Sequence, residues 1–395
     1  LGFSSGLPLA LVGHTLAAWM TDANADLTTV GIFSAVTLPY SIKFLWAPAI
    51  DHLPPPLLGR RRGWALVFQA LLIAGLVWMS LSDPIADASM LAVAALCVAA
   101  FSASQDLVLD AYRTDVLTPA ERAAGSATFV TGYRVGMLAS GSLAMILADH
   151  TSWANVYRIM AVFVLIGVVA IVLAPEPQAP PRARLSLEQM VLQPLRQFAS
   201  RKGAFIAFAF MLTYKIGDAF AGALTTRFFK EVGFSNTELG TLHSGVGMIA
   251  TIVGGLVAGA VMPKLGTRRG LVVFGALQAL TNSCFAVMAV TGKSTALLIG
   301  GVVLDNFAGG MGTMAFVAFL MGQCDRRFSA TQYALFSSVS AFPARALGAL
   351  SGFAATSLGW PAFFVGTIVV AIPGVLLALF VPRSMTDVPL EDEPQ

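Results

Sequence analysis

The chain has 395 residues, of which 56% are hydrophobic and only 11% charged, where a soluble domain carries roughly 25% charged residues. Lipid is therefore the solvent for most of it, which excludes an ordinary soluble enzyme, and a net charge of +3 gives no reason to expect a nucleic-acid partner. Zinc, Rossmann, P-loop and Ser-His-Asp signatures are absent, so no cofactor, no metal and no enzymatic constellation is expected. Cys97, Cys284 and Cys324 lie in or beside apolar segments without metal-ligand spacing and imply no disulfide framework. Leu1 stands where an initiator Met would, so a few native residues are expected before it, and no cleavable signal pattern is visible.

A membrane helix needs about 20 mainly apolar residues. That window predicts an all-α integral membrane protein of twelve transmembrane helices at 1–21, 28–50, 64–82, 89–112, 125–148, 153–174, 203–226, 237–262, 270–290, 295–321, 332–356 and 361–381. Pro8, Pro39, Pro343 and Pro373 fall inside segments, where neighbouring helices re-satisfy the freed backbone groups. Trp19 in segment one is a possible sugar-stacking surface; Trp46, Trp64, Trp153 and Trp360 sit near segment ends as interfacial anchors. Lys43 in segment two is a cation near mid-depth.

Segment four carries Gln105, Asp106 and Asp110, with Arg113 just beyond. Asp106 and Asp110 are four residues apart and share a helix face. Ionisable groups within a membrane segment usually face a partner or a wet cavity, so one of these two is the candidate proton carrier, and Gln105 can add hydrogen bonds. The plainer reading stays open: Asp110 pairs with Arg113, Asp51 meets the basic loop at Arg60 and Arg61, and the group is a structural gate.

Arg134 in segment five and Lys215 in segment seven complete a set of mid-depth cations. Arg grips a carboxylate as a planar fork and Lys as a point charge; alternatively each pairs with a buried acid, Lys215 with Asp218 above all. Asp305 and Asn306 lie mid-way in segment ten beside Phe-Ala-Gly-Gly-Met-Gly, where a sugar ring or another helix can come close. His14 and His243 titrate near neutrality in principle, but a lone helix His is more often a packing residue.

Residues 175–202 form the one long polar stretch. Its prolines stop a helix, and its later part has the spacing of an amphipathic helix along the membrane interface. It divides the chain into a six-helix bundle at 1–174, a linker at 175–202, a second bundle at 203–382 and a tail at 383–395. With both termini in the cytoplasm, the cytoplasmic loops and tail hold sixteen of the 24 Lys and Arg, the opposite side four and the segments four, as the positive-inside rule requires. The halves repeat: Gly59-Arg60-Arg61-Arg62-Gly63 follows segment two and Gly266-Thr267-Arg268-Arg269-Gly270 follows segment eight, and such repeats surround midplane sites in transporters.

Six plus six helices with these loops resemble the major facilitator superfamily, whose second-to-third loop reads Gly-x-x-x-Asp-x-x-Gly-Arg-Arg. Asp51 and Gly59-Arg60-Arg61-Arg62 match its ends across a longer spacing, and the second copy lacks the acid. Within that superfamily, Leu-Gly-Phe-Ser-Ser-Gly-Leu-Pro from Leu1, Lys-Phe-Leu-Trp-Ala-Pro-Ala-Ile-Asp from Lys43, Ser-Ala-Ser-Gln-Asp-Leu-Val-Leu-Asp from Ser102, Gly-Tyr-Arg-Val-Gly from Gly132 and Tyr-Lys-Ile-Gly-Asp from Tyr214 resemble AmpG-type muropeptide permeases from Leu1 to about Pro382.

The resemblance implies a multi-pass carrier of the bacterial inner membrane that imports anhydro-muropeptides (GlcNAc-anhydroMurNAc and its peptides) from the periplasm for peptidoglycan recycling. It also implies a central cavity lined by segments 1, 2, 4, 5, 7, 8, 10 and 11. Substrate contacts are expected from Lys43, Gln105, Arg134, Lys215, Asp218, Asp305, Asn306 and Trp19. With no nucleotide site, protons are the expected driving partner, and a monomer in the bilayer is the expected state. Residue chemistry alone reaches only a polar, anionic solute of some size. A carrier of another anion such as acetyl-CoA, or a transport-inactive receptor of the same fold, stays open. Some relatives carry further C-terminal segments, whereas here an acidic tail follows segment twelve.

Overall fold

The structure, a computed structural model, describes residues 1–52, 55, 59–116, 122–176, 196, 198–323 and 329–386. The expected interfacial helix in the linker and the acidic tail beyond Thr386 lie outside the described residues, as do the side chains of Asp51 and Arg60. Every regular element among the described residues is helical. Nine helical stretches there are long and apolar enough to cross a membrane.

The other three expected segments are present as broken helices. Segment one is α1 (Gly2–Leu11) and α2 (His14–Asp22), parted at Gly13, whose ψ of −119° no helix accepts. Segment two is α3 (Leu27–Phe33), α4 (Pro39–Ile42) and α5 (Ala47–His52), joined by 3-10 turns at Ser34–Thr37 and Lys43–Leu45. Pro39 and Pro48 remove amide donors there. Continuous helices follow at α6 (Arg60–Leu81) and α7 (Ala88–Val116). Segment five is α8 (Arg122–Leu138), a π-helical stretch at Ala139–Leu143 and α9 (Ala144–Ala148), and segment six is α10 (Trp153–Leu173).

Segment seven comprises α11 (Ala204–Thr213) and α12 (Ile216–Val232). Segment eight starts with α13 (Asn236–Glu238), passes through a π-helical stretch at Leu239–Val246 and ends as α14 (Gly247–Leu265). Then come α15 (Thr267–Thr291), α16 (Thr295–Gly322), α17 (Ser329–Gly348), α18 (Ser351–Phe380) and α19 (Arg383–Thr386). Segment eleven ends within α18, where Gly359 breaks the helix at φ 71° before segment twelve.

The chain divides into two compact units, one of 1–183, 223–245 and 349–356, the other of 184–222, 246–348 and 357–395. Lipid is as apolar as Leu, so helix association rests on close packing rather than on the hydrophobic effect. In the first unit α1 lies so close to α8 that a Cβ at Gly6 would stand 2.0 Å from the Tyr133 carbonyl oxygen. Its apolar core gathers Ala65, Phe68, Leu109, Tyr112 and Ile171. In the second unit α14 and α16 meet the same way, with a Cβ at Gly254 only 2.0 Å from the Phe307 carbonyl oxygen. Phe210, Tyr214, Phe316, Phe319 and Phe336 fill its core. Large apolar side chains such as Leu173, Phe205 and Val290, 75–84% exposed, face the acyl chains.

Candidate functional site

Each unit holds a polar cluster inside apolar helices. In the first, Ser5 of α1 donates its hydroxyl to Asp106 of α7. The charges of Lys43 and Asp110 act on the same carboxylate, and Lys43 acts on Asp110 as well. The 3-10 turn at Lys43–Leu45 and the straight helix α7 thus bring a Lys and two Asp side chains together. Asp110 is also reached by Arg113 Nη2 at 3.2 Å, the pairing that the gate reading anticipates, and the Arg113 guanidinium lies 4.7 Å from the centre of the Phe129 ring.

Three of the expected residues have packing or pairing partners here. Gln105 is fully buried, and its amide donates to the Ser4 carbonyl oxygen at 2.9 Å, which ties α7 to α1. Trp19 is 6% exposed, its ring 4.9 Å from that of Tyr157 and 6.4 Å from that of Trp153; neither face is free for a sugar. Arg61 pairs through Nε with Asp115 at 3.0 Å, and its amide donates to Glu176 at 3.1 Å. Arg134 on α8 is half-buried and has no ion pair among the described residues.

In the second unit Lys215 Nζ stands 3.5 Å from Asp218 and donates to Gln278 at 3.2 Å, while Asp305 accepts from Thr281 Oγ1 at 2.8 Å. The charges of Asp218 and Lys215 act on Asp305, so α12, α15 and α16 share one cluster. Asn306 is not in it. Its carboxamide oxygen accepts from Thr251 of α14 at 3.2 Å and its amide donates to the Val302 carbonyl at 2.9 Å. Neighbours on a helix point about 100° apart, and here one faces α15 and the other α14.

The first unit holds a further cluster that no sequence motif announces. Lys230, in the last turn of α12, forms an ion pair with Asp22 at the end of α2 and donates to Asn236 at 2.7 Å. Asp22 also accepts from Trp153 at 2.8 Å and from Asn236 at 2.9 Å. Asp149 accepts from the Thr237 amide at 2.6 Å, and a Ser235–Glu238 capping box starts α13. Burial would raise the Asp149 carboxyl, but hydrogen bonds from Thr237 and Asn236 outweigh it and hold it below the usual range. Nearby, His14 shares a 3.3 Å hydrogen bond with Ser244, and its ring meets that of His243 edge-on at 6.3 Å; both act as packing residues.

Residues 1–349 match the family model described as Major Facilitator Superfamily. The chain belongs to the major facilitator superfamily. It is 43% identical over 387 residues to the anhydromuropeptide permease of Escherichia coli K12, covering 98% of this chain and 79% of that protein. It is also 30% identical over 396 residues to a putative AmpG 4 transporter of Rickettsia felis, covering 98% and 95%. Within the superfamily it is thus an AmpG-type permease by sequence, a transporter and not an enzyme. The nucleoside transporter NupG shares its fold with a TM-score of 0.76 at 15% identity, covering 97% of each chain. A D-xylose–proton symporter does so with 0.73 at 14%, covering 97% and 96%. Among the described residues, the clusters at Asp106 and Asp305 set ionisable side chains within helices apolar enough to cross a membrane.

Proposed function

We propose that this facilitator imports anhydro-muropeptides from periplasm to cytoplasm across the bacterial inner membrane, driven by protons, with both termini cytoplasmic. Two six-helix bundles at 1–174 and 203–382 give alternating access, and Asp106 carries the coupled proton. The observation that carries this reading is the Ser5–Asp106–Lys43 cluster. It places a titratable acid against a hydroxyl and a cation inside an apolar helix, in a chain 43% identical to an anhydromuropeptide permease.

A serine hydroxyl can donate to an ionised carboxylate and accept from a protonated one, so it serves both states of a proton carrier. Opening wets the site and closure dries it, which gives the two states different proton affinities. Arg134, half-buried without an acidic partner among the described residues, supplies a fork for a peptide carboxylate. Lys215 and Asp218 offer a second polar contact from the other bundle. The basic loop fixed by Arg61–Asp115 and the Asp110–Arg113 pair form the cytoplasmic gate with Asp51 and Arg60, and Asp22–Lys230 latches the periplasmic side. The carrier acts as a monomer.

Uptake of labelled disaccharide-peptides into proteoliposomes under an imposed inward pH gradient tests the reading. Accumulation that collapses with a protonophore supports it. Uptake of acetyl-CoA in place of muropeptide, or binding without transport, overturns it.

A further inference from the structure

A cavity of about 600 Å³ opens where the turn after α14 meets α15 and the end of α18. Its basic lining residues are Arg268 and Arg269 in the first turn of α15 and Arg383 at the start of α19. Among the described residues none of the three has an ion pair, and the first turn of α15 holds no acid. That placement is costly for the chain alone. Like charges share one cavity, and two of them stand at a helix N-terminus, where the macrodipole disfavours cations. The residue before the helix, Gly266, offers no side-chain cap, so first-turn amides also point out unsatisfied. All three features are relieved by one anion.

The rest of the wall decides which anion. Leu265, Val272, Val273 and Leu379 form it beside Gly266, and Val273 and Leu379 are 50% and 40% exposed on helices apolar enough to cross a membrane. Such side chains face acyl chains. The cavity therefore runs from the lipid-facing surface to a basic rim, and a free phosphate would leave its apolar part uncovered. Basic pockets between membrane helices suit anionic lipid headgroups. We propose that this cavity binds the phosphate headgroup of an anionic phospholipid, held by Arg268, Arg269 and Arg383, with an acyl chain along Val273 and Leu379.

The full chain, purified in a neutral detergent, is examined by native mass spectrometry with added cardiolipin, phosphatidylglycerol or phosphatidylethanolamine. Cardiolipin and phosphatidylglycerol are expected to be retained in preference to phosphatidylethanolamine. Arg268→Gln, Arg269→Gln and Arg383→Gln are each expected to cut that retention about fivefold, the effect of one basic residue near an anionic surface. Lys293→Gln, at the other end of α15, is expected to leave it unchanged, and unchanged thermal unfolding separates lost binding from lost folding. Equal retention of all three lipids, or equal loss in Lys293→Gln, overturns the proposal. So does displacement of lipid by millimolar inorganic phosphate, which would mark a free-anion site. A chain ending at Thr386 is the last arm. Anionic-lipid retention that matches the full chain supports the proposal, and retention that emerges only on removal of Asp387, Glu391, Asp392 and Glu393 shows the acidic tail to be the occupant instead.

Discussion

Ser5 of α1 donates its hydroxyl to Asp106 of α7, across a contact 101 residues apart in sequence. Gln105, the neighbour of Asp106, donates to the backbone of Ser4, the neighbour of Ser5. Two adjacent residues of each helix are thus stitched together, one bond buried and structural, the other on a titratable acid. Any movement of α1 along α7 changes the surroundings of Asp106, which is the mechanical link that coupling needs.

The Arg61–Asp115 pair is 4% and 5% exposed at its side chains. Removing one member of a buried pair leaves a charge without that counter-ion and costs about 3–5 kcal/mol, whereas an apolar replacement of both is often neutral. Asp115→Ala is expected to destabilise the protein by about that amount in chemical unfolding, and Arg61→Met combined with Asp115→Leu to recover most of it. A double variant destabilised by the sum of the two single losses would mean that the pair contributes no coupling.

The latch at Lys230 and Asp22 predicts a change in access. Asp22→Asn keeps the hydrogen bonds from Trp153 and Asn236 within reach but removes the ion pair. In a background without native cysteines, Ser244→Cys lies beyond the latch beside His14. Its modification by an impermeant reagent from the periplasm is expected to quicken severalfold when Asp22→Asn is added. An unchanged rate would reduce the pair to a surface contact.

Much of the fold is legible in the sequence, because apolar runs such as Arg61–Leu81 and Trp153–Leu173 are long and uninterrupted. The grouping of Asp106 and Asp110 is legible too, since a spacing of four fixes one helix face. What cannot be read is any partner brought by tertiary packing. Ser5, Asp115 and Glu176 carry no local signal of whom they meet. Trp19 has the chemistry of a sugar platform and loses it to Tyr157 and Trp153. Asp305 and Asn306 look like one polar pair, yet the helical twist sends them to α15 and α14. The latch is missed because Lys230 reads as a loop residue until α12 is seen to run to Val232.

Asp149 gives the start of α13 a pH dependence. Its carboxyl lies below the usual range in the folded chain, against an unfolded value of about 3.9. Folded-state stabilisation from this group is therefore complete above that value and fades as pH falls through the lower folded one. The difference in melting temperature between the wild type and Asp149→Asn is expected to be constant near neutrality and to shrink below about pH 4. A difference that does not shrink at all as pH falls below that value would mean that the charge of Asp149 contributes nothing at the start of α13.

If Asp106 couples solute to protons, Asp106→Asn uncouples them, because Asn mimics the protonated acid in shape and in neutrality. Vesicles carrying the variant are loaded with unlabelled disaccharide-peptide, and exchange of labelled substrate at equal concentrations is compared with uptake driven by an imposed pH gradient. The prediction is that exchange continues and accumulation is lost. An Asp106→Asn protein that still concentrates substrate under the gradient would contradict it.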